Sequence, residues 1–240
     1  MSMSDNTEKP IKFSEKYLKT TWLTNVRNYY IENWTIVVNL GNQKAHISAP
    51  PEKYLLPRTS TILKEVTIKD GDSLLLIEIF KETNIGGIVL ESGWDLLGNL
   101  MDFPKEVPLW KSAQYDLGIA KFDPYFVTGQ SDKPKDSNLK KYQVKVNLWF
   151  APAKTNCAIH NKHMEPDFIE VHTQIYGTGR MQKFHANNFN TIYEDVIMSP
   201  GDTHIPFASV GETGHFVYPW HQYYSDTDCI WMANEFHPLN

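Results

Sequence analysis

Residues 168–176 read FIEVHTQIY, and together with residues 142–150 (YQVKVNLWF) they decide the fold class. In both stretches apolar and polar side chains alternate, and this period of two predicts β-strands. The alternation puts Glu170, His172 and Gln174 on one face of the first strand. Further short strand-like runs, separated by turn residues, follow at 191–198 and 228–236. Such a series is typical of an all-β sandwich or barrel.

The N-terminal half is also mostly β-like. Runs rich in branched aliphatic residues occur at 35–40 (TIVVNL) and 73–80 (SLLLIEIF), and the turn residues beside them support two strands. Two other stretches predict helices. Residues 13–33 are mixed in composition and predict one helix, and residues 94–103 (WDLLGNLMDF) predict a short second one.

Composition also predicts where the chain divides. Residues 1–12 offer little apolar surface to bury, so we predict a disordered tail there. The segment 133–138 (KPKDSN) is the most linker-like part of the chain. We therefore predict a β-rich N-terminal region at 13–138 and a C-terminal barrel at 139–240.

The overall composition excludes several classes of protein. The chain has 240 residues, 41% of them hydrophobic, which is enough for a substantial core. Its net charge of -5 argues against a nucleic-acid partner, and no apolar run approaches the roughly 20 residues of a membrane helix. The polar N-terminus lacks the apolar segment of a signal peptide, so we expect a cytoplasmic protein with Cys157 and Cys229 reduced.

Histidines concentrate in the C-terminal part: of the nine in the chain, only His46 precedes residue 160. Histidine is the commonest metal ligand among side chains, so this skew predicts a metal or acid–base site there. His160 and His163 follow a turn within 152–163 (PAKTNCAIHNKH), and Glu170 lies seven residues before Gly177. A second motif has a turn at 199–202 (SPGD), then 219–221 (PWH), then a polar turn at 225–228 (SDTD).

These two motifs resemble those of the cupin superfamily, over roughly residues 142–237. The resemblance implies an all-β fold with a jelly-roll β-barrel. The N-terminal region would then be a β-rich extension with one or two short helices, or a degenerate second barrel. The resemblance also implies a divalent metal inside the barrel, held by His160, His163, Glu170 and His221. We expect Fe(II), with Mn, Ni or Zn as alternatives, because imidazole and carboxylate donors suit all of them.

The first motif departs from the usual pattern, because its two histidines are separated by two residues instead of one. Both cannot project from one extended strand, so a turn or bulge must intervene or only one of them binds. Glu165 or His172 could then replace a ligand of the first motif. In the second motif His204, which follows the SPGD turn, is a rival to His221.

Other polar residues have plainer interpretations. We interpret His185, His215 and His237 as polar residues at strand ends. Glu170 and His172 could also be the solvent-facing side of an amphipathic strand, which is ordinary in antiparallel sheets. Nothing in the sequence matches a phosphate-binding glycine loop or a serine-nucleophile motif.

The resemblance favours a non-haem Fe(II) oxygenase that acts on a small organic metabolite. Glu170, His172 and Tyr223 are the candidate catalytic residues. A metal-dependent isomerase or lyase is the first alternative, and in that case His172 with Tyr223 could supply its acid–base pair. A non-catalytic cupin that binds a small ligand is the second. The expected partners are a small-molecule substrate and a second copy of the chain, since an exposed β-edge in the N-terminal region would favour a homodimer.

Overall fold

The computed structural model describes residues 6–163 and 167–239. An N-terminal sheet of seven strands has the main order β1-β2-β7-β3-β6, and the hairpin β4–β5 pairs with the first half of β7. Its strands are β1 (Thr7–Ile11), β2 (Leu18–Ile31), β3 (Thr35–Asn39), β4 (Ala45–Ser48), β5 (Lys53–Leu55), β6 (Ser60–Leu63) and β7 (Val66–Ile79).

The helix predicted at 13–33 is wrong, because β2 occupies most of that stretch and pairs with β7 along its length. The pairing leaves out Asn25 and Asn28, whose φ angles are 56° and 47°, but the register is the same on either side of them. Their left-handed backbone interrupts the extended conformation of the strand. The buried positions of β2 therefore do not follow one unbroken period of two, which is the pattern that identifies a strand.

The disordered tail predicted at 1–12 is wrong for residues 7–11, which form β1 and pair with β2 from Thr7↔Thr24 to Ile11↔Thr20. Of this strand only Ile11 is buried. Backbone hydrogen bonds to β2, not apolar burial, hold the strand at the sheet edge, and composition gives no signal for that. Residues 1–5 lie outside the described part of the chain.

The C-terminal half continues as strands. They are β8 (Trp94–Leu96), β9 (Trp110–Ser112), β10 (Tyr115–Phe122), β11 (Lys140–Ala151), β12 (Thr155–Asn156), β13 (Ile169–Tyr176), β14 (Gly179–Phe184), β15 (Ile192–Met198), β16 (Ser209–Val210), β17 (Phe216–Val217), β18 (Trp220–Ser225) and β19 (Cys229–Pro238). Every strand predicted from the sequence overlaps one of the observed strands, and the all-β fold class is confirmed.

These strands form a six-stranded sheet of order β13-β19-β11-β9-β8, with β10 also on β11, and a four-stranded sheet of order β12-β18-β14-β15. The strands β16 and β17 form a separate hairpin. Because β10 and β11 are neighbours in one sheet, the linker-like segment 133–138 connects two paired strands. The six-stranded sheet therefore includes strands from both sides of residue 138.

The main core lies between the N-terminal sheet and one face of the six-stranded sheet, where Val38 and Leu75 pack in one cluster with Val144 and Val171. The opposite face of the six-stranded sheet looks toward the four-stranded sheet, and a smaller cluster there includes Trp231. The strands β11, β13 and β19 are thus supported from behind by a large apolar core. Their other face is free to carry polar side chains.

Helices are few. The α-helices are α1 (Leu97–Leu100) and α2 (Pro124–Val127), and 3₁₀ turns occupy Ile85–Leu90, Asp136–Asn138 and Phe189–Thr191. The helix predicted at 94–103 is confirmed in part, since β8 fills the first positions and α1 follows. Within the described ranges no helix has both the length and the apolar character needed to cross a membrane.

The six- and four-stranded sheets face each other without closing into the predicted barrel in the part of the chain that is described. The outer edge of β13 is covered by the segment 199–206 instead of a long strand, with hydrogen bonds from Gly201 N to Gln174 O (2.9 Å) and from Gln174 N to Asp202 O (2.8 Å). Pro200 and Pro206 have no backbone N–H, so a continuous strand cannot form there.

Candidate metal centre

Two histidines on the four-stranded side are held as a pair. The His160 N–H donates to His221 O (2.9 Å), and the His221 N–H donates to His160 O (2.8 Å). Each imidazole also places its Nδ1 beside the carbonyl two residues earlier, Ala158 O at 3.0 Å and Pro219 O at 2.9 Å. A proton on Nδ1 satisfies these contacts and leaves the Nε2 lone pair free. This is the tautomer that a metal ligand requires.

His163 completes a group of three imidazoles. Its Nε2 lies 3.3 Å from His221 Nε2, and one nitrogen from each of His160, His163 and His221 lies within 4.8 Å of the others. The chain leaves β12 at Asn156 and turns at Ala158, whose φ is 65°. A turn thus intervenes, as the spacing of the two histidines required, and both imidazoles reach the same point.

Glu170 reaches this group from the opposite sheet, since it lies on β13. Its Oε2 is 3.7 Å from His163 Nε2 and 3.3 Å from His172 Nε2. The Glu170 N–H donates to the Tyr218 hydroxyl (2.9 Å), which in turn donates to Phe168 O (2.8 Å). The backbone around the carboxylate is therefore fixed by a buried tyrosine.

The charges of the site suit cation binding. Burial raises the pKa of Glu170, but nearby His172 and His163 outweigh it and hold that pKa well below its usual value. Burial, followed by repulsion from His160, keeps the pKa of His221 well below 6.5, and burial also lowers the pKa of His163. An ionised carboxylate and neutral imidazoles are the protonation states in which these groups bind a metal. The residues fit a divalent metal with nitrogen and oxygen ligands.

The alternative ligands differ in their surroundings. His204 Nε2 accepts from the His172 N–H (2.8 Å), and its Nδ1 lies 2.9 Å from Ile205 O. Both ring nitrogens of His204 are thus occupied by backbone groups, which leaves His221 as the histidine of the second motif in the site. His172 is next to Glu170 but outside the three-histidine group. Glu165 lies outside the described residues.

The position of Tyr223 does not match its predicted role as an acid–base partner of His172. Its hydroxyl donates to Gln174 Oε1, and its ring stacks on Trp231 with centroids 3.8 Å apart. The ring centroid of Tyr223 lies 6.3 Å from that of His172, and burial raises the pKa of the phenol. The structure therefore does not join His172 and Tyr223 as an acid–base pair, because the hydroxyl already donates to a side chain of the opposite sheet.

A cavity of about 580 Å³ opens from this site between the two sheets. Sequence reasoning missed several polar residues in its wall. These are Lys111, Gln114, Lys145 and Glu235. His237 also lines the cavity, with its Nε2 2.7 Å from Glu235 Oε2, so its interpretation as a residue at a strand end is incomplete. Side chains alternate along β19, so Trp231 and Glu235 lie on one face of the strand. This alternation could have identified Glu235 as a residue of the cavity wall.

The other two histidines have no part in the cavity wall. His185 is exposed and stacks against Tyr193, with ring centroids 4.6 Å apart. The ring of His215 contacts the Thr213 hydroxyl. Both positions agree with the interpretation of these histidines as polar residues near strand ends.

The chain has only low sequence identity and low structural similarity to known proteins. No family model matches the chain, and no curated protein matches it. Among solved structures, oxalate decarboxylase from Bacillus subtilis is 9% identical with a TM-score of 0.29, covering 92% of this chain and 68% of that one. AerE from Microcystis aeruginosa is 9% identical with a TM-score of 0.28, covering 95% and 96%. A DUF861-family protein of unknown function from Pseudomonas syringae pv. tomato is 12% identical with a TM-score of 0.27, covering 92% and 83%.

Likeness at these TM-scores carries no conclusion about activity, substrate or metal. The observation that supports the cupin resemblance is internal to the molecule. The histidines of the first motif and His221 of the second come together beside Glu170, between two antiparallel sheets. The structure thus brings together, between two antiparallel sheets, the four residues that the two motifs predict as a donor set.

Proposed function

We propose that this protein is a metal-dependent enzyme acting on a small organic molecule, and that its metal is Fe(II) used for oxygenase chemistry. The observation that carries the proposal is the meeting of three imidazole nitrogens within 4.8 Å, with the Glu170 carboxylate 3.7 Å from one of them. His160, His163, Glu170 and His221 would hold the ion. When bound, such an ion supplies open coordination positions and Lewis-acid or redox chemistry.

The protein's own contribution is positioning and exclusion of water. His160 and His221 are oriented by backbone carbonyls, and the backbone at Glu170 is fixed by Tyr218. Trp149 and Trp231 stack with centroids 6.4 Å apart and form an apolar part of the cavity wall. An apolar wall beside a polar site strengthens electrostatic interactions there, because it lowers the local dielectric constant.

A metal-dependent isomerase or lyase is the second candidate, and one observation favours it. Glu235 Oε2 lies 2.7 Å from His237 Nε2 in the same cavity. A carboxylate that orients an imidazole is the arrangement that moves protons in many hydrolytic and isomerising enzymes. Here this pair, not His172 with Tyr223, would supply the acid–base group.

The metal content of the purified protein, measured by elemental analysis, tests the proposal. We expect near-stoichiometric iron in the wild type and its loss in His163→Ala and His221→Ala. Changes to residues that merely support a ligand cost about 10- to 100-fold in affinity, so loss of a ligand should cost at least that much. The matched control is His185→Ala, which removes an exposed imidazole away from the cavity and should keep its iron.

Each result has a definite meaning. Iron lost only in the two site variants supports the oxygenase proposal and justifies measuring oxygen consumption with small metabolites. Zinc, manganese or nickel lost in the same variants keeps the site and moves the proposal to isomerase or lyase chemistry. A wild type that binds no metal, even after anaerobic reconstitution with Fe(II), overturns the metalloenzyme proposal.

A further inference from the structure

A row of charged residues crosses the six-stranded sheet on the face that bounds the cavity. Strand register aligns Glu170 on β13 with Glu235 on β19, and Glu235 with Lys145 on β11. Adjacent strands lie about 4.8 Å apart, so Glu170 and Lys145 stand about 10 Å from each other across the sheet. Two residues along β19 on the same face is Ala233, which lies between His172 and Asn147 in the register. Its short side chain leaves space in the cavity between Glu170 and Lys145.

Two carboxylates lie opposite Lys145 in the strand register, Glu235 on β19 and the exposed Asp116 on β10. The carboxylate of Glu235 already binds other groups. Glu235 Oε1 accepts from Asn147 Nδ2 (2.7 Å), while its Oε2 accepts from Gln114 Nε2 (2.8 Å) and contacts His237 Nε2 (2.7 Å). Among the described residues Lys145 has no ion pair within 4.0 Å, although its side chain is half-buried and lines the cavity. A partly desolvated ammonium without a counter-ion is unfavourable, so a bound anion there would be stabilised.

A second ammonium lies farther along the same wall. Lys111 on β9 is the cross-strand partner of Trp149, and its Nζ lies 5.5 Å from the Trp149 ring centroid. This cation–π contact leaves the N–H donors of Lys111 available to a ligand. At the cavity rim the exposed Lys162 and Asp102 have opposite charges. Asp95 on β8 lies opposite Lys111 in the strand register, but among the described residues no carboxylate is within 4.0 Å of its ammonium group. The half-buried ammonium groups of this wall that have no ion pair are therefore Lys145 and Lys111, next to the aromatic side chains.

We propose that the cavity binds a small organic carboxylate, with its anionic end on Lys145 and Lys111 and its carbon skeleton against Trp149 and Trp231. The opposite end of such a molecule would reach the three imidazoles, and that part of the inference rests on the proposed metal-dependent function. The substrate class is thus an organic acid whose carboxylate is distal to the metal.

The test compares phenylacetate with phenylacetamide, which has the same shape without the charge, by calorimetric titration of the full chain. We expect the wild type to prefer phenylacetate by about 10- to 100-fold, the range for a charge-assisted hydrogen bond. Lys145→Met should reduce this preference to about threefold or less, and Lys145→Arg should keep it. The matched control is Lys141→Met, an exposed position on the same strand outside the cavity wall, which should behave as the wild type.

Two measurements separate this inference from the proposed function. Metal content is determined in every sample, and His221→Ala is titrated beside the lysine variants. Equal affinity for the two probes, or no binding of phenylacetate at millimolar concentration, overturns the inference. A preference that survives Lys145→Met and Lys111→Met but is lost in His221→Ala also overturns it, because the carboxylate then sits on the metal. A lysine-dependent preference in a protein that binds no metal supports the inference while the metalloenzyme proposal fails.

Discussion

His204 is a half-buried histidine whose two ring nitrogens both contact backbone groups. Burial, assisted by nearby His172, lowers the pKa of its imidazole from the ordinary 6.5 to about 3. Between these two values the unfolded chain binds a proton at this residue and the folded chain does not. The free energy of unfolding must therefore fall as the pH falls below about 6.5, by up to about 1.4 kcal/mol per pH unit for this one residue.

We expect His204→Gln to weaken this acid sensitivity, because glutamine can accept from the His172 N–H and donate to Ile205 O without titrating. Urea unfolding at pH 7 and pH 5 measures the effect. The variant should lose less stability than the wild type between the two values, even if it is less stable at pH 7. His185→Gln, at an exposed position, should retain the wild-type dependence on pH. An unchanged dependence in His204→Gln would contradict the assignment.

At the scale of elements, the segment after β15 connects the N-terminal sheet to β13. The Ser60 hydroxyl donates to Gly201 O (2.6 Å), and the Gly201 N–H donates to Gln174 O (2.9 Å). Gly201 has a φ of 88°, and a Cβ atom added there would lie 2.6 Å from Ile62 Cγ1. Glycine is required here both for the backbone conformation and for the close approach of β6.

Gly201→Ala should therefore destabilise the protein more than Gly129→Ala does. Gly129 also has a positive φ, 74°, but a Cβ atom there would meet nothing within 4 Å. Both variants incur the conformational strain, and only the first adds a steric clash. We expect the difference in the free energy of unfolding to be about 1–2 kcal/mol, measured by urea denaturation. Equal losses would show that Ile62 moves aside at no cost.

Elements could be predicted where the alternation is unbroken. The strand β13 is such a case, since its apolar residues pack against the main core and its polar residues face the cavity. The strand β2 is the opposite case, because Asn25 and Asn28 have a left-handed backbone that interrupts its extended conformation. Asparagine adopts this conformation more readily than most residues, but whether it does so depends on the sheet around it, and a single sequence does not show that.

The candidate site could be predicted only where its residues belong to local sequence motifs. His160, His163, Glu170 and His221 follow from the two motifs, and the structure brings them together. The position of Lys145 opposite Glu235 follows only from strand register, and the commitment of Tyr223 to Gln174 depends on a strand distant in sequence. Such pairings cannot be derived from the period of one strand.

At the scale of the whole molecule, one apolar core joins the N-terminal sheet to the six-stranded sheet. Leu75 lies at its centre on β7 and is fully buried. We expect Leu75→Ala to lower the free energy of unfolding by about 2–5 kcal/mol, through lost burial and a new cavity. Both sheets share this core, so they should unfold in one transition. During unfolding, the far-UV circular dichroism signal and the near-UV signal of the stacked Trp149 and Trp231 should therefore change together.

The control for this variant is Leu90→Ala, which removes a side chain that is 85% exposed and should change stability by less than about 0.5 kcal/mol. Two separated transitions in Leu75→Ala would mean that the N-terminal sheet unfolds independently of the rest. Homodimer formation remains a prediction, and the dependence of these transitions on protein concentration would test it.

The mutual backbone hydrogen bonds of His160 and His221 have a consequence for kinetics. These bonds hold the two backbones together, and the Nδ1 contacts orient the two rings, so the imidazoles would act as one bidentate chelator on the four-stranded side. An ion released by Glu170 on the opposite sheet would still be bound there, at high effective concentration for rebinding. Dissociation would then require both sides to release the ion while the sheets are apart, so its residence time would depend on sheet motion more than on any single bond.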